Sequence, residues 1–176
     1  MNPFPRLSQL RVRPLAGNRA RGWLTAGPFQ VPCALGPVGI IRIKHEGDKG
    51  TPAGRFRLLW GYYRPDRLRL RAAGAPLRPL RRDQGWCEDP TSPRYNRPVR
   101  LPARACTDRM WREDHLYDLT LVLDQNFSGR AKGRGSAIFG SGANSRRRKA
   151  SSVVLSRLQA WSTAFHTAGA SRAPSG

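Results

Sequence analysis

The stretch that most constrains this fold runs from Leu119 to Phe139. Leu119, Leu121 and Leu123 alternate with Thr120 and Val122, and a period of two marks a strand. Asp124-Gln125-Asn126 comes next, and then a basic turn containing Gly129 and Gly133. Gly133-Arg134-Gly135-Ser136-Ala137-Ile138-Phe139 reads as a second strand, whose glycines remove side chains where another backbone comes close. A buried strand ending at Phe139 delivers the residues after it to the rim of a sheet, where chemistry commonly sits. There the composition changes: Gly140 to Lys149 reads as flexible and basic, and no acidic residue occurs from Gly140 onward.

The rest of the chain is punctuated in the same β-rich manner. Leu10-Arg11-Val12-Arg13 predicts an edge strand, and Gly22–Ala26 with Phe29–Gly36 predicts a hairpin around the Gly27-Pro28 turn. Cys33 falls in the apolar part of that hairpin and is expected in the core. Gly39–Lys44 and Arg55–Trp60 read as further strands, giving a meander of short antiparallel strands. From Tyr62 to Arg82, prolines 65, 76 and 79 break any helix, and the segment reads as an irregular excursion. Gly85–Pro90 and Arg94–Val99 read as a second loop system, which Trp86 and Tyr95 could simply pin to the sheet. Ser151–Trp161 reads as a strand or short helix. The small polar end, Thr167–Gly176, reads as loose. With 176 residues, 18 of them Gly and 15 Pro, one β-rich domain is expected rather than a helical bundle. Its bounds are placed at 7–158, with 159–176 as a disordered tail.

Thirty-two basic against eleven acidic residues leave a formal charge of +21, and no acid precedes Glu46. Non-specific binding to polyanions follows from such a charge. No helix-turn-helix, zinc-finger or RRM pattern accompanies it, so sequence-specific nucleic-acid recognition is not indicated. Cys33, Cys87 and Cys106 form no CxxC pair and no zinc spacing, and their odd number closes no disulfide framework. No metal and no cofactor is expected. No apolar run is long enough to cross a bilayer. Met1–Gly17 lacks the apolar core and cleavage site of a secretory signal, so the chain as written is expected in the cytoplasm.

Several stretches, taken in order, resemble one family. Glu46-Gly47-Asp48 with Thr51-Pro52-Ala53-Gly54-Arg55-Phe56 resembles the hairpin of L,D-transpeptidase catalytic domains of the YkuD type. Gly85–Pro90 with Tyr95-Asn96, then His115-Leu116-Tyr117-Asp118, then Leu121–Asn126, resembles a bacterial branch of it. Gly133–Phe139 resembles the strand preceding its active site. The similarity spans about residues 10 to 139. It implies a mainly β, sandwich-like or open-barrel fold with short helical pieces, and enzymes of the cell envelope that re-link peptidoglycan stem peptides. In that chemistry a cysteine attacks a peptide bond beside a D-amino acid, and an amine of another stem resolves the thioester. It needs a thiolate, a histidine within hydrogen-bond reach, and backbone N–H donors for the oxyanion. At the matching positions Trp86, Tyr95, Asn96 and Asp118 are expected to shape or support the substrate groove.

The chain departs from the family's pattern after Phe139. The expected histidine is absent, and so is the Ser/Thr-x-Gly-Cys segment. By hydrophobic pattern Ala150–Leu155 matches best, placing Ser152 at the nucleophile position. No cysteine occurs after Cys106, and the only later histidine is His166. A shifted reading frame or decayed 3′ end accounts for such a break. A Cys87–His115 dyad has nothing in the sequence to bring it together. Two functions are therefore weighed: an L,D-transpeptidase domain by descent with impaired or absent catalysis, and a non-catalytic basic module that holds anionic polymer, either cell wall or nucleic acid.

Overall fold

The computed structural model describes residues 9–68, 77–103 and 107–141, and these contain twelve strands and no helix. In chain order they are β1 (Leu10–Leu15), β2 (Asn18–Ala26), β3 (Phe29–Ala34), β4 (Ile40–Ile41), β5 (Thr51–Pro52) and β6 (Leu58–Tyr63). The others are β7 (Leu77–Pro79), β8 (Gln84–Cys87), β9 (Arg97–Arg100), β10 (Thr107–Arg109), β11 (Leu119–Leu123) and β12 (Phe139–Ser141). They form four sheets, ordered β1-β2-β3, β4-β5, β12-β11-β6-β7 and β10-β8-β9. The protein is thus mainly β, and none of these sheets closes into a barrel. The short helical pieces implied by the family resemblance do not occur among the described residues. Ser152, the Ser151–Trp161 segment and the tail from 159 lie outside them.

Strand β11 explains where the core lies. Leu119, Thr120, Leu121 and Val122 are all buried, because β11 runs between β12 and β6 and is covered on both faces. Leu119 and Leu121 point to one cluster, against which Leu10, Leu58 and Leu77 pack. Val122 points to the other, with Tyr62, Leu80, Trp86 and Met110. Each of these large side chains contributes roughly 1.5–3 kcal/mol by leaving water. The alternation Leu-Thr-Leu-Val therefore separates two apolar clusters rather than core from solvent, and Thr120 is fully enclosed.

Four expectations are corrected. The strand anticipated over 133–139 begins only at Phe139, because Gly133, Gly135 and Ala137 have left-handed φ values of 75, 88 and 51°, which extended pairing cannot accommodate. The meander is not wholly antiparallel: β4 pairs with β5 and β6 with β7 in parallel. The segment 85–99 is not a loop system, since β8 is the central strand of a sheet with β9 and β10. Cys33 is half-buried on the first sheet rather than enclosed. No helix among the described residues is long and apolar enough to cross a membrane, a statement that leaves β-barrels aside.

Gly61 is the position where β6 admits no side chain. A Cβ there would stand 2.5 Å from Leu77 Cδ2 and 2.9 Å from the Thr120 carbonyl oxygen. Gly61→Ala is expected to lower stability by about 1–3 kcal/mol through overpacking, read as a reduced urea midpoint with unchanged slope.

Candidate functional site

The site is built around the turn that leads from β8 into β9. Asn96 takes a left-handed φ of 54° there, which asparagine tolerates better than most residues, and its side chain is 3% exposed. Its amide uses its full capacity. Oδ1 accepts from the Trp86 indole N–H at 3.1 Å and from the Ala137 backbone N–H at 3.2 Å. Nδ2 donates to the carbonyls of Gln125 at 3.3 Å and Asn126 at 2.9 Å. One side chain thereby joins β8, the turn after β11 and the segment entering β12.

Asn126 organises the intervening loop in a similar way. Also left-handed (φ 49°), it accepts from the Ala131 N–H at 2.8 Å and donates to the carbonyls of Ala131 and Gly135 at 2.9 and 3.0 Å. Gly135 is required twice over: its φ is positive, and a Cβ would stand 2.7 Å from Lys44 Cγ. The close approach anticipated here is a backbone's; at Gly135 it is made instead by the side-chain stem of Lys44, and nothing lies within 4 Å of a Cβ at Gly133.

The loop 45–50 closes onto this frame. The Glu46 N–H donates to the Gly133 carbonyl at 2.8 Å, and Ser136 Oγ donates to Glu46 Oε1 at 3.0 Å. The Tyr95 hydroxyl donates to Glu46 Oε2 in a short contact. Burial, followed by that carboxylate, raises the Tyr95 pKa and keeps the phenol protonated. Above the frame lies an aromatic wall, with Phe139 edge-on to Trp86 at 5.0 Å and to Tyr117 at 5.8 Å. The Tyr117 hydroxyl donates to Asp108, and burial followed by that bond raises its pKa too. Burial pushes the Glu88 carboxyl up to about 7, with the charges of Asp108 and Glu46 adding to it. Glu88 is thus partly protonated at neutral pH, while the two phenols stay protonated and spend their single O–H donors on Glu46 and Asp108.

Of the residues singled out in the sequence, Trp86, Tyr95 and Asn96 are brought together. Trp86 and Tyr95 are 1% and 2% exposed, so both pin the frame from within rather than face a ligand. Asp118 belongs to another group, where Arg67 Nη1 donates to Oδ1 at 2.8 Å and His115 Nδ1 lies 2.8 Å from Oδ2. It holds the 113–118 turn. Ser152 lies outside the described residues. Glu46, Ser136, Glu88, Asp108 and Tyr117 have no site role that the sequence alone discloses. The Glu46-Gly47-Asp48 and Gly135-Ser136 motifs contain two of them, but pairing across 90 positions has no sequence periodicity to show it.

Nucleophilic chemistry finds no pair here. Cys87 is 1% exposed within β8, while His115 is on an exposed turn with its ring bonded to Asp118. Cys33 sits on a different sheet, and burial raises its thiol pKa, which disfavours the thiolate. Among the described residues no cysteine is hydrogen-bonded to a histidine, and no three His, Cys, Asp or Glu side chains are grouped to hold a metal ion. No protein-family model, no curated protein and no solved structure matches the chain.

Replacing the central amide should be costly. Asn96→Ala leaves the Trp86 and Ala137 N–H groups and two carbonyls without partners, and is expected to lower stability by about 2–5 kcal/mol in urea unfolding followed by tryptophan fluorescence. Glu88 gives a pH test. Its folded pKa of about 7 stands above the ordinary 4.5. The protonated group's contribution is complete below about 4.5 and is lost as pH rises to about 7. Glu88→Gln should therefore gain stability relative to the unsubstituted chain between pH 5 and pH 8, by on the order of 2 kcal/mol after allowance for partial exposure. A stability difference that stays constant with pH would mean that Glu88 is not desolvated.

Proposed function

We propose that this chain carries the stem-peptide-binding scaffold of an L,D-transpeptidase, on that family's β-sandwich plan, without the thiol–imidazole pair that exchanges acyl groups. One observation supports the reading. The stretches that carry the resemblance, Glu46, Trp86, Tyr95-Asn96, Gln125-Asn126 and Gly135-Ser136-Ala137, are hydrogen-bonded into a single frame at the entry to β12. Residues scattered over the sequence are thereby gathered at one place in the fold.

The chemistry rests on the groups the frame holds. Glu88, about half protonated near neutral pH, has an O–H to offer a peptide's carbonyl or terminal carboxylate, while the Tyr95 and Tyr117 hydroxyls are spent on Glu46 and Asp108 and hold the frame. Acyl exchange needs more: a thiolate beside an imidazole, and N–H donors at the carbonyl under attack. Cys87 is enclosed, and His115 is committed to Asp118. A serine at the nucleophile position, such as Ser152, would ionise far less readily than cysteine. The chain in this reading belongs to the bacterial envelope by descent, binds the stem peptide and leaves it intact.

The test is titration of a stem peptide ending in D-alanine, against a scrambled peptide of equal charge, at raised salt to screen generic attraction. Preferential binding of the stem, with no exchange or hydrolysis product by mass spectrometry, is expected. Equal binding of both peptides would overturn the scaffold reading. Turnover that disappears in Cys87→Ala would overturn the absence of catalysis.

A further inference from the structure

The first sheet has two faces of opposite character. Gly22, Leu24, Val31 and Cys33 lie on one, buried or half-buried. On the other, Arg11 and Arg13 of β1, Arg21 and Trp23 of β2, and Gln30 and Pro32 of β3 are all exposed. The register places Arg13 directly opposite Trp23, and Trp23 directly opposite Pro32. Arg11 stands two residues from Arg13, about 7 Å along the strand, and cross-strand neighbours are about 5 Å apart. The indole is thus at the centre of the face with guanidinium groups around it.

These arginines differ from the ion-paired ones of the molecule's centre. Arg64, Arg67, Arg81 and Arg112 are each ion-paired with carboxylates. Among the described residues Arg11, Arg13 and Arg21 have no ion-pair partner, and no acid precedes Glu46 to supply one within the sheet. Trp23 differs from the other exposed or half-exposed indoles as well. Trp60 and Trp111 have arginine guanidiniums over their rings, whereas no described guanidinium covers Trp23, which is 38% exposed. Three uncompensated like charges and an uncovered aromatic ring on one platform are both unfavourable in isolation. A ligand with repeated negative charge and planar groups relieves both.

We infer that this face of the β1-β2-β3 sheet binds single-stranded nucleic acid without sequence preference, its phosphates on Arg11, Arg13 and Arg21 and a base stacked on Trp23. Such binding combines a basic track with an aromatic platform, and it is sequence-tolerant because every base has a π-face. A lipid surface fits less well. The face presents one aromatic ring among charged and polar groups, and the exposed Val12 belongs to the opposite register. A phosphodiester polymer without bases would use the arginines and leave Trp23 idle.

The test is fluorescence anisotropy of a labelled oligothymidylate of about 12 nucleotides, beside an abasic oligomer of the same length and anionic vesicles. Trp23→Ala is expected to weaken oligothymidylate binding about 5- to 150-fold and to leave the abasic oligomer nearly unaffected. Trp23→Phe, which keeps a ring, should recover most of the loss and so separates stacking from a folding defect. Joint Arg11→Ala, Arg13→Ala and Arg21→Ala should reduce the magnitude of the log–log salt slope by about 2. Joint Arg55→Ala, Arg57→Ala and Arg100→Ala, equal in charge, should change it much less. The inference is overturned if the abasic oligomer or the vesicles bind as tightly as oligothymidylate, if Trp23→Ala binds unchanged, if Trp23→Phe is as weak as Trp23→Ala, or if the two triple variants lose equally. None of these outcomes bears on stem-peptide binding, which is read with a different ligand.

Discussion

The side-chain amide of Asn96 is the junction on which the interior arrangement depends. Four backbone or indole groups from three separate parts of the chain end at this one carboxamide, away from water. Each would cost about 1–3 kcal/mol if left without a partner. Only an amide offers two acceptor sites and two donors in one plane at this distance from the backbone. The left-handed turn adds a second requirement that asparagine meets and most residues do not. Aspartate could not donate, and glutamine would place the same groups one carbon further out. Position 96 is therefore specified twice, by hydrogen-bonding capacity and by backbone conformation.

Charge is distributed by a related logic. All eleven acidic residues fall between Glu46 and Asp124, the part of the chain that builds the frame and the ion-paired turns. There Arg64 is 2% exposed with both Asp66 oxygens at 2.8 Å, and Arg67 bridges Glu113 and Asp118. Burial of a guanidinium is tolerable only with such partners. The first sheet has no acids and keeps its arginines in solvent. A net charge of +21 is thus not a uniform coat. Part of the basic charge in the centre of the chain is ion-paired locally, and the first sheet stays open to external anions.

Much of the β architecture was legible because its causes are local. The hairpin at Gly27-Pro28 follows from turn chemistry, and β11 follows from its alternation. The misleading signals were also local. Gly133 to Phe139 looks extended by composition, yet Gly135 must clear the Lys44 stem and Ala137 must turn its N–H to Asn96, so the backbone becomes left-handed. Gln84–Cys87 resembles loop because it is short and flanked by polar and proline residues. It is a central strand because β9 and β10 satisfy its backbone on both sides. Trp86, Tyr95 and Asn96 do belong together, as their interleaving suggests, whereas Asp118 is drawn away by Arg67 and His115.

The sequence by itself determined the β-rich character, the excess of positive charge, and the break in pattern after Phe139, since each is a property of neighbouring residues or of totals. Tertiary structure alone decided that Glu46 meets Tyr95 and Ser136, that Cys87 is enclosed, and that Arg11, Arg13, Arg21 and Trp23 share one open face. The reason is physical. Periodicity records which side of a strand a residue occupies, and turn geometry sets the register within a hairpin, but the partner beneath a sheet or on a strand distant in sequence is chosen by tertiary packing.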